Sequence, residues 1–117
     1  LISEMMKLIH HRGPDEQNIY VDDHVAIGFV RLSIIDPAQG HQPVYNEDQS
    51  IVAVCNGEIY NHHQHRENLA QSGHTFHSHS DVEVVPHLYE AFGEKFVEYL
   101  HGMFAIVLLD KNNKFWL

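Results

Sequence analysis

The feature of this sequence that most constrains its fold is a run of five apolar residues at positions 51–55, IVAVC. A strand with one exposed face alternates apolar and polar residues, whereas a run that is apolar at every position predicts a strand covered on both faces. Residues 104–109 form a second run of this kind. The chain is therefore expected to build a sheet that lies between other layers of structure.

Further helices and strands are predicted from periodic segments separated by Gly, Pro, Asn and Asp. A first helix is expected at the N-terminus, and Gly13-Pro14 is expected to form its C-terminal cap and a turn. The apolar residues of that helix recur at helical spacing: Ile2, Met5, Leu8 and Ile9. Other helices are predicted over residues 62–72, from residue 81 onward and over residues 94–101. Strands are predicted over residues 18–20, 25–30, 33–36, 75–78 and from residue 114 onward.

The helix from residue 81 has a start signal in the sequence. Ser80 and Glu83 have the spacing of a capping box, in which each side chain bonds the other's backbone N–H. Pro86 is expected past the first turn of this helix, where it would remove a hydrogen bond and cause a kink. The residues expected to face inward are Val82, Val85, Tyr89 and Phe92.

Composition excludes several classes of function. Seven Lys and Arg residues against 16 Asp and Glu residues give a formal charge of −9, and nucleic acids and anionic membranes both bind basic surfaces. No run approaches the roughly 18 apolar residues of a membrane span. A single cysteine cannot form an internal disulfide, which fits a reducing compartment. We therefore expect a cytoplasmic chain, one domain or part of one, without a nucleic-acid or membrane partner.

Twelve histidines raise the question of a metal site. His77 and His79 would share one face of an extended segment, and His62, His63 and His65 cluster at a helix start. Neither group shows a recognised ligand signature, and no cysteine lies near enough in sequence to complete one. The sequence therefore predicts solvated histidines and no metal.

An amide side chain and a glycine follow the first apolar run directly, at Asn56 and Gly57. An Asn side-chain N–H and an unobstructed glycine N–H are the donors of an oxyanion hole, which binds the charge that develops on a carbonyl oxygen. Asn-Gly is also the commonest sequence of a tight hairpin turn. The dipeptide alone leaves both interpretations open.

Four segments together resemble a known family. They are HRGPD at residues 11–15, RLSIID at 31–36, NGEIYN at 56–61 and SDVEV at 80–84, with Gln42-Pro43 and GMFA at 102–105 as further matches. In this order they resemble the glutamine-hydrolysing domain of class II glutamine amidotransferases of the asparagine synthetase type. The resemblance covers essentially the whole chain. It implies an α+β fold, the four-layer αββα sandwich of N-terminal-nucleophile hydrolases, here incomplete.

The resemblance also assigns roles to individual residues. Asn56 and Gly57 would form the oxyanion hole, and Arg31 would bind the α-carboxylate of glutamine, because a guanidinium binds a carboxylate bidentately. Asp81 would bind the α-ammonium group, although an acid at a helix start is also favoured by the helix dipole. The remaining positions implied to line the glutamine pocket are Glu58 and the backbone of Leu32, Ser33, Ile34 and Ile35. The HRGPD loop is implied to lie near the nucleophile.

The nucleophile of this family is an N-terminal cysteine whose own α-amino group acts as the base, whereas this chain begins with Leu1. Cys55 lies inside the apolar run and is interpreted as a buried structural cysteine. We therefore expect residues 1–117 to be a partial domain, without the N-terminal cysteine segment or the C-terminal synthetase domain, and without glutaminase activity of their own.

The leading interpretation is the glutamine-hydrolysing half of an asparagine synthetase-like enzyme. The resemblance implies that ammonia passes to the C-terminal synthetase domain of the same chain, where ATP and Mg²⁺ activate aspartate; no cofactor is expected in the fragment itself. Three alternatives stay open: an inactive glutamine-binding module, an amidotransferase with another carboxylate acceptor, and a histidine-rich metal-binding protein. A homodimer is also open.

Overall fold

The computed structural model describes residues 1–32 and 41–113 and the backbone of residues 115 and 116. Three α-helices, six strands and three short 3-10 helices make up the described chain. The α-helices are α1 (Ile2–Ile9), α2 (His62–Gln71) and α3 (Val84–Phe92). The strands are β1 (Glu16–Val21), β2 (Ala26–Arg31), β3 (Val44–Tyr45), β4 (Ile51–Ile59), β5 (Gly102–Asp110) and β6 (Phe115–Trp116). The 3-10 helices are His10–Arg12, Asp81–Glu83 and Gly93–Tyr99.

The strands form two antiparallel sheets. β1 and β2 form a hairpin, and the second sheet has the order β3-β4-β5-β6. Helix α1 packs on β2, and one buried cluster, with Ile27, Phe29 and Val54, joins the two sheets. A larger cluster joins β4 and β5 to α2 and α3. The layers therefore follow the predicted order α, β, β, α.

The two apolar runs meet in the centre of the larger sheet. β4 and β5 pair over their whole lengths, from Ile51 opposite Asp110 to Ile59 opposite Gly102. Residues 51–55 are buried on both faces, as their sequence predicts. β5 is different, because Met103 and Val107 are exposed while Leu108 and Leu109 are buried. The prediction that this strand is covered on both faces is therefore wrong for residues 102–107, none of which is fully buried.

The β1–β2 hairpin has the predicted turn. The Asp22 carboxylate accepts hydrogen bonds from the backbone N–H groups of His24 (2.8 Å) and Val25 (2.9 Å). The ladder then pairs Val21 with Ala26 and, at its far end, Glu16 with Arg31. An Asx-type turn thus fixes the strand register.

Gly13 is needed for a different reason from the predicted helix cap. Its φ of −160° is extended, and the helix before it closes through the 3-10 turn His10–Arg12. A Cβ at Gly13 would lie 2.3 Å from the backbone nitrogen of Arg31. Glycine therefore lets this loop pack directly against the end of β2.

Helix α3 does not start with the predicted capping box. Ser80 makes no side-chain cap hydrogen bond, and the Glu83 carboxylate accepts instead from the backbone N–H groups of His77 (2.6 Å) and Ser78 (2.8 Å). The chain enters α3 through a 3-10 turn, so Pro86 lies in the first α-helical turn. The backbone N–H groups of the first helical turn have no intrahelical acceptor, so a proline there removes no hydrogen bond. The predicted loss of a hydrogen bond at Pro86 is therefore wrong.

Several apolar residues that contribute to the helical patterns are exposed, among them Phe92, which is predicted to face inward. In α1, Met6 is buried while Met5, Leu8 and Ile9 are exposed, and Phe92 is exposed at the end of α3. No helix in the part of the chain that the structure describes is both long enough and apolar enough to cross a membrane.

Candidate active site

The residues singled out by the sequence converge on the second half of β4. Asn56, Gly57 and Glu58 lie inside this strand, paired with Ala105, Phe104 and Met103 of β5. The hairpin-turn interpretation of Asn-Gly is therefore wrong. The strand continues to Ile59 and delivers these residues at its C-terminal end.

Along the edge of β4 that faces away from β5, the backbone groups are hydrogen-bonded by different partners at different residues. Odd-numbered residues of β4 present their backbone groups at this edge. At Ile51, the carbonyl accepts from the Asn46 N–H at 3.3 Å and the N–H donates to Asn46 Oδ1 at 2.9 Å. At Cys55 the Gln42 side chain takes the place of a strand. Its Oε1 accepts from the Cys55 N–H at 2.6 Å, and its Nε2 donates to the Cys55 carbonyl at 2.9 Å.

Asp81 occupies the same edge at its far end. Its carboxylate Oδ2 accepts a hydrogen bond from the Ile59 N–H at 2.7 Å, and the side chain is 2% exposed. Asp81 is thus fixed by β4 and by its 3-10 turn, and not by a Ser80 cap as the sequence suggested. Within the described chain, the buried Ser80 hydroxyl has no hydrogen-bond partner.

Gly57 lies between these two anchors. By the alternation of an antiparallel strand, its N–H faces the edge that Gln42 holds at Cys55 and Asp81 holds at Ile59. Its φ is +128°, and a Cβ there would lie 1.9 Å from the Met103 carbonyl oxygen. Glycine is therefore required at this position, and its N–H points into the space between a neutral amide and a carboxylate. We call this space the Gly57 position.

The Asn56 side chain leaves β4 on the face of the sheet that lies toward the β1–β2 hairpin. Its Nδ2 donates to the Val30 carbonyl at 2.9 Å. An amide nitrogen carries two N–H donors, and this bond uses one of them. The bond fixes the side-chain rotamer beside Gly57 and ties β4 to the end of β2.

Arg31 follows Val30 and is buried at the end of β2. Its Nη1 lies 2.9 Å from Glu16 Oε2 across the hairpin. The HRGPD loop closes over the same point, because the Asp15 N–H donates to the Arg31 carbonyl at 3.1 Å. The predicted substrate-binding arginine is therefore held in a fixed place next to the strand residue that bonds Asn56.

The pKa of the Cys55 thiol depends on burial and on the charges around this strand. The pKa of its thiol is raised to about 12, first by burial and then by the negative charge of Asp81, while the positive charge of Arg31 opposes the rise. Both charged side chains are thus near enough to Cys55 to act on it. A thiol with this pKa stays protonated at neutral pH, which supports the structural interpretation of Cys55.

The other predicted pocket positions have mixed outcomes. Glu58 is half-buried in β4, and Leu32 is 55% exposed directly after β2. Ser33, Ile34 and Ile35 lie outside the described residues. The predicted cleft shared by Arg31 and Asp81 stays a prediction. The described contacts place Asp81 at Ile59, and place Val30, the residue before Arg31, at Asn56.

Sequence reasoning gave no role to two residues that build this site. Gln42 belongs to the segments that carry the family resemblance, but nothing in a single sequence indicates that its amide completes a strand edge. Glu16 could have been found. With a four-residue loop at residues 22–25, hairpin pairing places residue 16 opposite residue 31, and opposite charges across a hairpin attract.

Comparison with known proteins gives a consistent result. A family described as "Glutamine amidotransferase domain" matches residues 1–117. The chain is 49% identical over 113 residues to a protein of Oryza sativa subsp. japonica named asparagine synthetase [glutamine-hydrolyzing] 2, covering 97% of this chain and 19% of that protein. It is 48% identical over 115 residues to the asparagine synthetase [glutamine-hydrolyzing] of Sandersonia aurantiaca, covering 97% and 22%. The chain thus spans about a fifth of the length of these relatives.

A solved structure shares the fold. The glutamine phosphoribosylpyrophosphate amidotransferase of B. subtilis, complexed with ADP and GMP, superposes with a TM-score of 0.58 at 24% identity. The superposition covers 74% of this chain and 21% of that one. This likeness confirms the predicted α+β sandwich of the N-terminal-nucleophile hydrolase type.

Proposed function

Because this chain belongs to the glutamine amidotransferase domain family, we propose that it binds glutamine at the Gly57 position and serves its hydrolysis to glutamate and ammonia. The observation that carries the proposal is the edge of β4. Gln42 and Asp81 hold this edge at Cys55 and Ile59, and the alternation of the strand leaves the Gly57 N–H between them.

The chemistry follows from what this position offers. A cysteine thiolate attacks the carboxamide carbon of glutamine, and the carbonyl electron pair moves to oxygen to give a tetrahedral oxyanion. The Gly57 N–H and the second N–H of the Asn56 amide stabilise that charge. The leaving nitrogen takes up the proton that the thiol lost, the C–N bond breaks and ammonia departs, and water then cleaves the glutamyl thioester to glutamate and the free thiol. The nucleophile is the N-terminal cysteine that the resemblance implies, since Cys55 is buried and protonated.

Recognition of glutamine needs a cation and an anion, because its amino-acid end is a zwitterion. Arg31 supplies the guanidinium for the α-carboxylate and Asp81 the carboxylate for the α-ammonium group. Both side chains are already fixed, by Glu16 and by the Ile59 N–H. Fixed charges lose little conformational entropy when the substrate binds, which favours affinity.

The acceptor of the ammonia is the second part of the proposal. Two similar proteins are named glutamine-hydrolysing asparagine synthetases. We place this chain in an enzyme of that type, in the cytoplasm, where a synthetase domain of the same chain uses ATP and Mg²⁺ to amidate aspartate.

A charge-neutralising variant tests the recognition step. In the full-length protein, Asp81→Asn keeps an oxygen that can accept from the Ile59 N–H but removes the negative charge. We expect kcat/KM for glutamine hydrolysis to fall about 100-fold, the scale of one charged hydrogen bond. Asp23→Asn, in the exposed β1–β2 turn, is the matched control and should leave it unchanged.

Three readouts separate the alternatives. Calorimetric glutamine binding without glutamate release would favour the inactive binding module over the enzyme. Glutamate release without asparagine formation would favour another carboxylate acceptor. Glutamine hydrolysis that is equal in Asp81→Asn and the unsubstituted protein would refute the assignment of Asp81.

A further inference from the structure

A cluster of histidines and glutamates lies on the opposite end of β4 from the Gly57 position. Glu47 is in the turn between β3 and β4, His74 follows α2, and His87 and Glu90 lie on α3. We call these four residues the His74–His87 cluster. One ligand atom from each residue can be chosen so that all four lie within 4.8 Å of one another.

Three of these atoms form a compact triangle. His74 Nδ1 lies 3.1 Å from Glu47 Oε1, His87 Nδ1 lies 3.2 Å from the same oxygen, and the two Nδ1 atoms are 3.2 Å apart. Tetrahedral zinc with bonds of about 2.0–2.1 Å has ligand atoms about 3.3 Å apart. The triangle therefore has the dimensions of one face of a zinc tetrahedron.

Glu90 is placed to supply the fourth ligand. Its Oε2 lies 3.8 Å from His74 Nδ1 and accepts a hydrogen bond from Asn46 Nδ2 at 3.4 Å. His87 and Glu90 are three residues apart on α3, a spacing that puts both side chains on one face of a helix. A small rotation of an exposed glutamate side chain would close the site.

Hydrogen bonds alone account poorly for this arrangement. Each neutral imidazole carries one N–H, and two Nδ1 atoms that face each other need a proton on one of them as donor. If both carried a proton toward Glu47, two N–H groups would lie side by side at 3.2 Å. A divalent cation would bind all three lone pairs at once.

The surroundings are those of a built site. His87 is 1% exposed, its ring lies against Phe76 with centroids 4.6 Å apart, and the Thr75 N–H donates to Glu47 Oε1 at 2.9 Å. Gly73, with φ +100°, turns the chain after α2 so that His74 comes back over α3. Hydrogen bonds of this kind orient metal ligands.

We propose a zinc-binding site that joins the β3–β4 turn to α2 and α3, with the ligands Glu47, His74, His87 and Glu90. Two imidazole nitrogens and two carboxylate oxygens fit Zn²⁺ better than Mg²⁺ or Ca²⁺, which take oxygen ligands. The site is structural, since four protein ligands close a tetrahedron. It differs from the expectation of no metal, which rested on histidines that are neighbours in sequence.

Zinc alone is the probe for the test. The full-length protein is freed of metal with a chelator and titrated with Zn²⁺ in competition with a chromophoric chelator. We expect one tight site, weakened at least about 100-fold by His74→Gln and less by Glu90→Gln. The control is the double variant His77→Gln/His79→Gln, which removes two exposed imidazoles outside the cluster and should keep the tight site.

Co²⁺ absorption reports the ligand geometry, and circular dichroism shows whether a variant is folded, so loss of metal binding can be distinguished from loss of the fold. Bound Co²⁺ should show the strong visible absorption of a tetrahedral centre in the control and lose it in His74→Gln. Glu47→Gln, which preserves the shape of a partly exposed side chain, should lose it too while its circular dichroism stays native. Equal zinc affinity in the unsubstituted protein and His74→Gln, or loss of the tight site in the control, would overturn the proposal. Glutamine hydrolysis does not enter this test, so its outcome is independent of the proposed function.

Discussion

The two faces of the four-stranded sheet differ in how much apolar surface they bury. The face toward α2 and α3 belongs to a cluster of fourteen buried residues, whereas the face toward the β1–β2 hairpin shares a cluster of three. On the second face, Met103 and Val107 are exposed and the Asn56 amide bonds the end of β2. The helix-facing side therefore supplies most of the stability, and the hairpin-facing side and the β4 edge supply the groups for chemistry.

The first prediction concerns Cys55, on the helix-facing side. Burial raises the pKa of the Cys55 thiol from the ordinary 9.0 to about 12. The fraction of Cys55 present as thiolate at pH 8 is therefore about a thousandfold lower than for a free thiol. We expect labelling of Cys55 by a thiol reagent to be suppressed at least that much in the folded chain and restored in denaturant. Fast labelling of the native protein would show that this face is open.

A substitution in the helix-side core should have the largest effect on stability. Phe96 is fully buried and packs edge-on against Tyr89, with ring centroids 6.0 Å apart. Phe96→Ala should lower the free energy of unfolding by about 3–5 kcal/mol. Urea denaturation followed by circular dichroism measures this, and a loss below about 1 kcal/mol would contradict the division between the faces.

Gly57→Ala should have an intermediate effect, because this residue belongs to both the fold and the site. The added methyl group would meet the Met103 carbonyl, and alanine rarely adopts the φ of Gly57. We expect a loss of about 1–3 kcal/mol, measured in the same way. Gly73→Ala is a useful comparison, since Gly73 also has a positive φ but no atom within 4 Å of the added Cβ. A smaller loss of stability in Gly73→Ala than in Gly57→Ala would show how much of the Gly57→Ala effect comes from the clash with the Met103 carbonyl.

Val107→Thr should have the smallest effect. The residue is 45% exposed on the hairpin-facing side of β5, and threonine keeps the shape and strand preference of valine. A change within about 0.5 kcal/mol is expected for such a surface position. A loss above about 1 kcal/mol would show that this face is covered in the folded protein.

Much of the fold could be predicted from local pattern. The apolar run at residues 51–55, the turn at residues 22–24 and the helix predicted from residue 81 onward each depend on neighbours in sequence. A strand begins at Ile51 and a turn joins β1 to β2 as expected, whereas α3 begins only at Val84, after a 3-10 turn. The exposed faces could not be predicted in this way. Hydrophobicity shows that Leu8, Phe92 and Val107 can be buried, but only tertiary packing determines whether another layer reaches them.

The candidate site divides in the same way. Motifs fix the residue types at Asn56, Gly57 and Asp81, so the sequence predicts them as site residues, whereas Gln42 and Glu83 act through long-range or irregular hydrogen bonds that have no sequence period. The Ser80–Glu83 spacing illustrates the limit. The same two residues could form a capping box, but the Glu83 carboxylate bonds the preceding loop instead.

The turnover number for glutamine hydrolysis in Asn56→Ala of the full-length protein tests directly whether Asn56 and Gly57 form the oxyanion hole. Removal of one oxyanion donor typically lowers kcat about 10²–10³-fold, so we expect that loss with little change in KM for glutamine. Asn68→Ala, on the exposed surface of α2, should keep normal turnover. If Asn56→Ala folds and hydrolyses glutamine with a near-normal kcat, Asn56 and Gly57 do not form the oxyanion hole.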